Sequence, residues 1–225
     1  MIVLFRLCRR LLPLFVIAQL CVHNSRLSAQ ERVQCFSLEF FYDSSVNDAS
    51  GLRADLQEFA EERTGLSLNF YDVKQDADAQ KKLESIAKYF GMSEVKLPAI
   101  YGLKNILADV ENEKQMRSRL EQILTVTAYV RDGCPHCNAA KEFLHKYDAR
   151  YPALKFVYKE VIRNPSYHAE MEKVTERYRQ RVASLPVIHY CNGLTIGFDR
   201  EATTGRRILQ TLDYWSHACT VEKKN

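Results

Sequence analysis

Apolar and polar residues alternate along Cys35–Tyr42 (CFSLEFFY), and the apolar run Thr125–Val130 (TVTAYV) has similar composition. Both patterns predict strands. After each, the apolar spacing lengthens to that of a helix: Leu52, Leu56 and Phe59 in one case, Ala140, Phe143, Leu144 and Tyr147 in the other. A second strand follows at 66–73 and at 154–161, then a second helix at 79–90 and at 167–182. Each series continues with a Leu-Pro strand, at 97–100 and 185–188, and a partner strand near 105–108 and at 194–198. It closes with a helix at 113–124 and at 203–214.

The two series are in register at a gapless offset of 88 residues. Leu97-Pro98-Ala99-Ile100 falls on Leu185-Pro186-Val187-Ile188, and Leu66, Leu68 and Phe70 fall on Leu154, Phe156 and Tyr158. Identity is low, but apolar character is kept. The chain is therefore read as an internal duplication. Each unit runs strand, helix, strand, helix, strand, strand, helix, an order that predicts an α/β fold with a mixed sheet and helices on both faces. The expected units are 31–124 and 125–217, with 218–225 as a tail. The offset also shows what the copies do not share: Val46 and Ala49 stand where the second unit has Cys134 and Cys137.

The first thirty residues belong to neither unit. Arg6, Arg9 and Arg10 precede a short apolar run, Leu11–Val22, and small residues follow at Ser28-Ala29. The run is shorter than the ~20 residues of a spanning helix. The order reads as a signal peptide cut after Ala29, which predicts a secreted or periplasmic protein. An uncleaved leader would instead anchor the chain, the one route to membrane contact. The chain holds 32 basic and 28 acidic side chains. Four of the basic ones are arginines of the leader, so the remainder balances at 28 of each. A neutral mature chain argues against a nucleic-acid binder, which needs a basic face. The sequon-like Asn164-Pro165-Ser166 is blocked by its proline, which favours a periplasm over a secretory lumen.

Of seven cysteines, Cys8 and Cys21 lie in the leader, leaving Cys35, Cys134, Cys137, Cys191 and Cys219. Export implies an oxidising compartment in which disulfides persist, and an odd count leaves at least one thiol unpaired. Cys191 reads as a buried free thiol, with a bridge from Cys191 or Cys35 to Cys219 as the alternative.

Cys134-Pro135-His136-Cys137 sits at the junction of a predicted strand and a predicted helix. A sulfur there meets unpaired N–H groups and the positive end of the helix dipole, which favour an anion. The thiolate is the reactive form of cysteine, and such sites depress its pKa. Pro135 suits the first helical turn, where its missing N–H costs nothing. His136 adds a cationic group beside the sulfurs, which favours the reduced state and makes the disulfide oxidising. Three readings compete: a redox pair, half of a zinc site, and a structural staple. A structural zinc needs four ligands, usually two paired knuckles, and the sequence has no second such pair.

The Cys-Pro-His-Cys run, with Leu185-Pro186 before a later strand, resembles the thioredoxin-fold thiol–disulfide oxidoreductases, and this version of the motif resembles the periplasmic DsbA oxidases. Gly193–Asp199 (GLTIGFD) is similar to the C-terminal pattern of glutaredoxins. The resemblance covers about 125–216 by motif and about 32–124 by element order only. It implies two tandem thioredoxin-like domains, as in protein disulfide isomerases, the first serving to bind substrate or partner. It implies that Cys134 attacks, that Cys137 resolves, that Pro186 is a cis proline beside them, and that Leu185 offers its backbone to an extended substrate. It implies dithiol–disulfide exchange on protein thiols and disulfides, with no cofactor beyond the Cys134–Cys137 disulfide and with a membrane redox partner for recycling. Two departures stand out. Ala128 occupies the place, six residues before the first cysteine, where many thioredoxins bury an acid. Phe198 replaces a second glycine of the glutaredoxin pattern, which argues against glutathione binding.

A binding or chaperone-like module with a structural Cys134–Cys137 disulfide is the alternative from another class. His145, His168 and His217 read as surface residues. His189 could face either side of its strand. Asp43-Ser44-Ser45, in the first unit's counterpart of the dithiol loop, reads as a helix cap.

Overall fold

The computed structural model describes residues 30–46 and 49–222. The leader, up to the proposed cut after Ala29, lies outside the described residues, as does the end of the expected tail beyond 222.

The first unit contributes β1 (Gln30–Tyr42), α1 (Ser50–Glu61), β2 (Leu66–Asp72), α2 (Ala77–Tyr89), β3 (Ala99–Gly102), β4 (Asn105–Leu107) and α3 (Glu113–Ile123). The second contributes β5 (Thr125–Val130), α4 (Pro135–Tyr147), β6 (Lys155–Glu160), α5 (Pro165–Arg177), β7 (Val187–Tyr190), β8 (Gly193–Ile196) and α6 (Arg206–Tyr214). The sheets have the same order, β2-β1-β3-β4 and β6-β5-β7-β8. In each, the first pair is parallel and the rest antiparallel. The molecule is α/β, with the thioredoxin fold twice. Leu97-Pro98 and Leu185-Pro186 are both cis and open the equivalent strands β3 and β7.

Local chemistry sets the helix boundaries. Asp76 caps α2 by accepting from Asp78 N and Ala79 N at 2.8 and 3.2 Å. Asn112 caps α3 through Gln115 N, and Asn164 caps α5 through Ser166 N, with Pro165 at the first helical position. The expected cap at Asp43-Ser45 does not form: Asp43 accepts from Ser45 N and Ser45 Oγ, closing a turn of its own, while α1 starts after Ala49 with no side-chain cap. Helix α5 stops at Arg177, short of the expected 182, because Arg179 takes φ +52°; its counterpart Gly91 has φ +67°. The closing helix opens with a π-type turn at Glu201–Gly205. A Cβ on Gly205 would meet the Phe143 ring at 2.7 Å, so glycine there lets this turn lie against α4.

Each sheet is packed on both faces. In the second unit, Val126, Ala128 and Val130 of β5 face Ala140, Phe143 and Leu144 of α4 and Ile208 and Leu212 of α6, while Tyr129 and Val187 face Met171 and Val174 of α5. An ion pair ties each second helix to its sheet: Lys82 of α2 to Glu39 of β1 at 2.5 Å, and Glu170 of α5 to Lys159 of β6 at 2.6 Å.

The segment expected to be a tail is a strand. Residues Ser216–Glu222 form β9, which runs antiparallel to the first half of β1, from Phe36↔Ser216 to Gln30↔Glu222. Cys35 and Cys219 of these strands are joined by a disulfide, which leaves Cys134, Cys137 and Cys191 free. The second half of β1 carries β2 and β3. The last strand of the chain thus completes the first sheet, and the two units share one apolar core that includes Phe36, Leu124 and Tyr151. The seam is built from equivalent parts. Asn192 Nδ2 donates to Lys104 O at 3.0 Å; the two residues are 88 positions apart, in the β7–β8 and β3–β4 turns. Gly65 lies against Pro152, and Arg63 donates to Ala153 O at 3.4 Å.

The Cys35–Cys219 disulfide closes a separation of 184 residues. In the chain-entropy account, such a closure stabilises by at most about 5 kcal/mol. Cys219→Ser is expected to lower unfolding stability by ~3–5 kcal/mol in denaturant titrations under oxidising conditions. The same midpoint for variant and parent would mean that the strand pair, not the bond, carries the closure.

Candidate active site

Strand β5 ends at Val130, and the short loop 131–134 delivers the chain to α4. Cys134 is itself the residue that caps this helix, with extended backbone (φ −86°, ψ 117°). Where the other capped helices use an Asp or Asn oxygen, α4 uses sulfur: Cys134 Sγ accepts from Cys137 N at 3.3 Å. Pro135 follows at the first helical position, exposed and with no N–H to satisfy. Cys137 is fully buried one turn on, and Cys134 is nearly so.

The two thiols are driven apart. At Cys134, burial works against the anion. The Cys137 thiol, the Cys137 and His136 backbone N–H groups and the charge of Arg131 together outweigh it and hold the pKa below that of an ordinary thiol. At Cys137, burial and the hydrogen bond to Cys134 push the pKa up to about 11. The first sulfur is the nucleophile-ready one, and the second holds its proton at neutral pH.

His136 makes a contact that the sequence did not show. Its ring Nδ1 lies 2.8 Å from Phe198 O, so it donates to that carbonyl and ties the start of α4 to the loop after β8. What reaches the sulfur is the backbone N–H of His136. The side-chain charge acting on Cys134 is that of Arg131, three residues upstream and exposed, which sequence reasoning missed. Its position at the end of β5 was the available signal. Asp132, the acid of the same loop, is occupied by Arg163 at 3.2 Å and Lys141 at 4.0 Å.

Pro186 opens β7, the antiparallel neighbour of β5, with Val187 opposite Tyr129 near the end of β5 that leads to Cys134. The cis bond therefore lies at the dithiol end of the sheet. Among the described residues, Leu185 makes no backbone hydrogen bond, while the Pro186 carbonyl accepts from Gly197 N at 2.8 Å. His189 points the other way, toward α5, with Nε2 3.1 Å from the Tyr178 hydroxyl. Cys191 is a buried free thiol whose pKa burial raises to about 12. Ala128 is fully buried in apolar core, so β5 offers no acid to Cys137. Among the described residues no group of three or more His, Cys, Asp or Glu could hold a metal ion.

Phe198 is buried against Phe143, with centroids 5.3 Å apart, and Asp199 is committed to the turn that opens the last helix. Its Oδ1 accepts from Thr204 N at 3.2 Å and from the Thr204 hydroxyl, and its Oδ2 accepts from the Thr203 hydroxyl. These bonds hold the Asp199 carboxyl well below the usual carboxylate range.

Residues 126–192, from the second residue of β5 to the β7–β8 turn, match the glutaredoxin family model. The second domain is glutaredoxin-like. Among solved structures, a glutaredoxin from Archaeoglobus fulgidus is 20% identical over 44% of this chain and 96% of its own, with a TM-score of 0.30. An NTD domain of alkylhydroperoxide reductase AhpF from Enterococcus faecalis is 15% identical over 80% of this chain and 91% of its own, with a TM-score of 0.29. No curated protein matches the chain. The family match supports oxidoreductase chemistry in general for the glutaredoxin-like domain, which holds both free cysteines of the motif.

The rate of Cys134 alkylation should follow the thiolate fraction. With Cys137 replaced by serine, the rate against pH is expected to plateau with a midpoint below the ~8.5 of a free thiol, and Arg131→Gln should raise that midpoint. Because the folded pKa is depressed, the anion stabilises the reduced protein above the pKa of an unfolded thiol. That stability is lost as pH falls through the folded value. A midpoint at or above 8.5 would show that the helix end does not hold an anion.

Proposed function

We propose that the protein is an exported thiol–disulfide oxidoreductase that acts on protein thiols and disulfides through Cys134 and Cys137. The observation that carries this reading is the helix cap made by sulfur: the anion that Cys137 N–H and Arg131 favour is the attacking species. In the reducing direction, Cys134 thiolate attacks one sulfur of a substrate disulfide. The Cys134–substrate bond forms, the substrate disulfide breaks, and the second substrate sulfur leaves as thiolate. That thiolate is a base close to Cys137, whose proton has no carboxylate to go to on β5. Cys137 thiolate then attacks Cys134 Sγ, closes the Cys134–Cys137 disulfide and releases the first substrate sulfur. Two electrons pass from the protein to the substrate; the oxidising direction is the reverse. A membrane redox partner would return the pair to its starting state, since the other disulfide, Cys35–Cys219, is tied into the β1–β9 ribbon.

Polypeptide substrates are favoured over glutathione. The unpaired backbone of Leu185 beside Pro186 suits an extended chain. Phe198 and Asp199, which stand in the glutaredoxin-like pattern, are consumed by the core and by the helix start. The Cys35–Cys219 bond supports export, because structural disulfides persist in oxidising compartments. It also weakens the alternative of a binding module with a structural Cys134–Cys137 pair, since a staple is already provided elsewhere.

Insulin reduction and the refolding of a scrambled disulfide protein test this reading. Wild type should be active, and Cys134→Ser should lose at least ~10³-fold. Cys137→Ser should accumulate a mixed disulfide with substrate, visible on non-reducing gels. Equal activity of wild type and Cys134→Ser would sink the enzymatic reading.

A further inference from the structure

Away from the dithiol, the two units enclose an open cleft of about 900 Å³ that the redox reading does not use. One wall is aromatic. Tyr89 at the end of α2, Tyr101 of β3, and Tyr214 and Trp215 at the end of α6 come from both units. Tyr101 meets Trp215 edge-on at 6.5 Å, and Trp215 meets Tyr214 at 5.1 Å. Tyr214 is 78% exposed and Tyr89 60%, the largest exposures of any aromatic residue among those described. The cleft is also charged in one sense. Lys104 and Arg207 line it, no acidic residue does, and neither cation has an ion-pair partner among the described residues. The third feature is backbone. Gly193 and Leu194 of β8 face the cleft, and β8 is the edge of its sheet, bonded to β7 alone. A sheet edge with free N–H and C=O groups is a template for an added strand.

We propose that this cleft is a docking site for an extended polypeptide segment that carries acidic residues, which adds to the free edge of β8 and lays apolar side chains on the Tyr89–Tyr214–Trp215 wall. The backbone edge supplies affinity without sequence, the aromatic wall supplies contact area for alternate side chains, and Lys104 and Arg207 select the sign of charge. The leader is the wrong occupant, because it carries four arginines and no acid. This site would hold an unfolded or flexible acidic partner on the protein independently of thiol exchange.

Trp215 is the sole tryptophan of the chain, so its emission reports on the cleft directly. The probe is a short peptide of alternating glutamate and valine, free of tryptophan and cysteine, titrated into the whole protein. Its emission response should saturate and weaken as salt is raised toward ~0.5 M. A lysine–valine peptide should give no response, and N-methylation of alternate peptide nitrogens should abolish it. Arg207→Glu and Lys104→Glu, both with exposed or half-buried charges, should each weaken binding at least ~10-fold. Their insulin reduction should match wild type, which separates this site from the dithiol. Equal binding of the two peptides, undiminished binding by the N-methylated peptide, or unchanged affinity in Arg207→Glu would each overturn the proposal. So would sedimentation showing a dimer that Tyr214→Ser dissolves, since the cleft would then be covered by a second copy.

Discussion

The seam between the units is the constraint on which the rest depends. β1 is thirteen residues long and serves two purposes: its second half is the central strand of the first sheet, and its first half is paired only with β9, the last strand of the chain. Because β9 follows α6 directly, the second unit is held against the first by backbone hydrogen bonds as well as by the core around Phe36, Leu124 and Tyr151. Apolar burial is non-directional; strand pairing is not, since a slip of one residue turns every side chain to the wrong face. The ribbon therefore fixes the angle and register at which two otherwise similar domains meet, and the disulfide closes it.

That arrangement decides where the chemistry faces. The seam joins the ends at which β5 and the paired part of β1 begin, through the turns at Lys104 and Asn192 and the loops at Gly65 and Pro152. The dithiol lies at the other end of β5, past Val130. Its counterpart loop in the first unit, with Val46 and Ala49, lies past Tyr42 at the far end of β1. The two loops thus open away from the seam. The dithiol and the cleft between the units therefore lie apart, the exposed Pro135 and His136 marking the outer surface over the buried Cys134.

The duplication was legible because it rests on local pattern. Strand alternation, helical spacing and the paired Leu-Pro runs survive at an offset of 88 whatever the tertiary contacts, and the sulfur at a strand-to-helix junction follows from the same local order. The parts that escaped were long-range. Ser216–Glu222 is short and has little apolar content, so nothing within it marks a strand; its conformation comes from β1, some 180 positions away in the chain. The partner of Cys219 was open for the same reason. Arg131 was overlooked because an arginine at a loop start has no periodic signature, and its effect on Cys134 exists only once the turn is closed. The bond from the His136 ring to the Phe198 carbonyl, 62 residues away, was out of reach for the same reason.

Comparison of the two copies also shows what the motif needs beyond its scaffold. The first unit keeps the cis proline, the strand order and the helix after the loop. It lacks a side-chain cap on that helix: Ala49 stands at the start of α1, and Asp43 turns back on Ser45 instead. In the second unit the cap and the proposed nucleophile are one atom, Cys134 Sγ. A helix end whose orphan N–H groups are met by an oxygen is simply stabilised. When a thiolate meets them, the same bond lowers the energy of the reactive form. The pair thus uses a need that every helix start already has, and the first unit, with Val46 and Ala49 at the equivalent positions, has the same strand order without the dithiol.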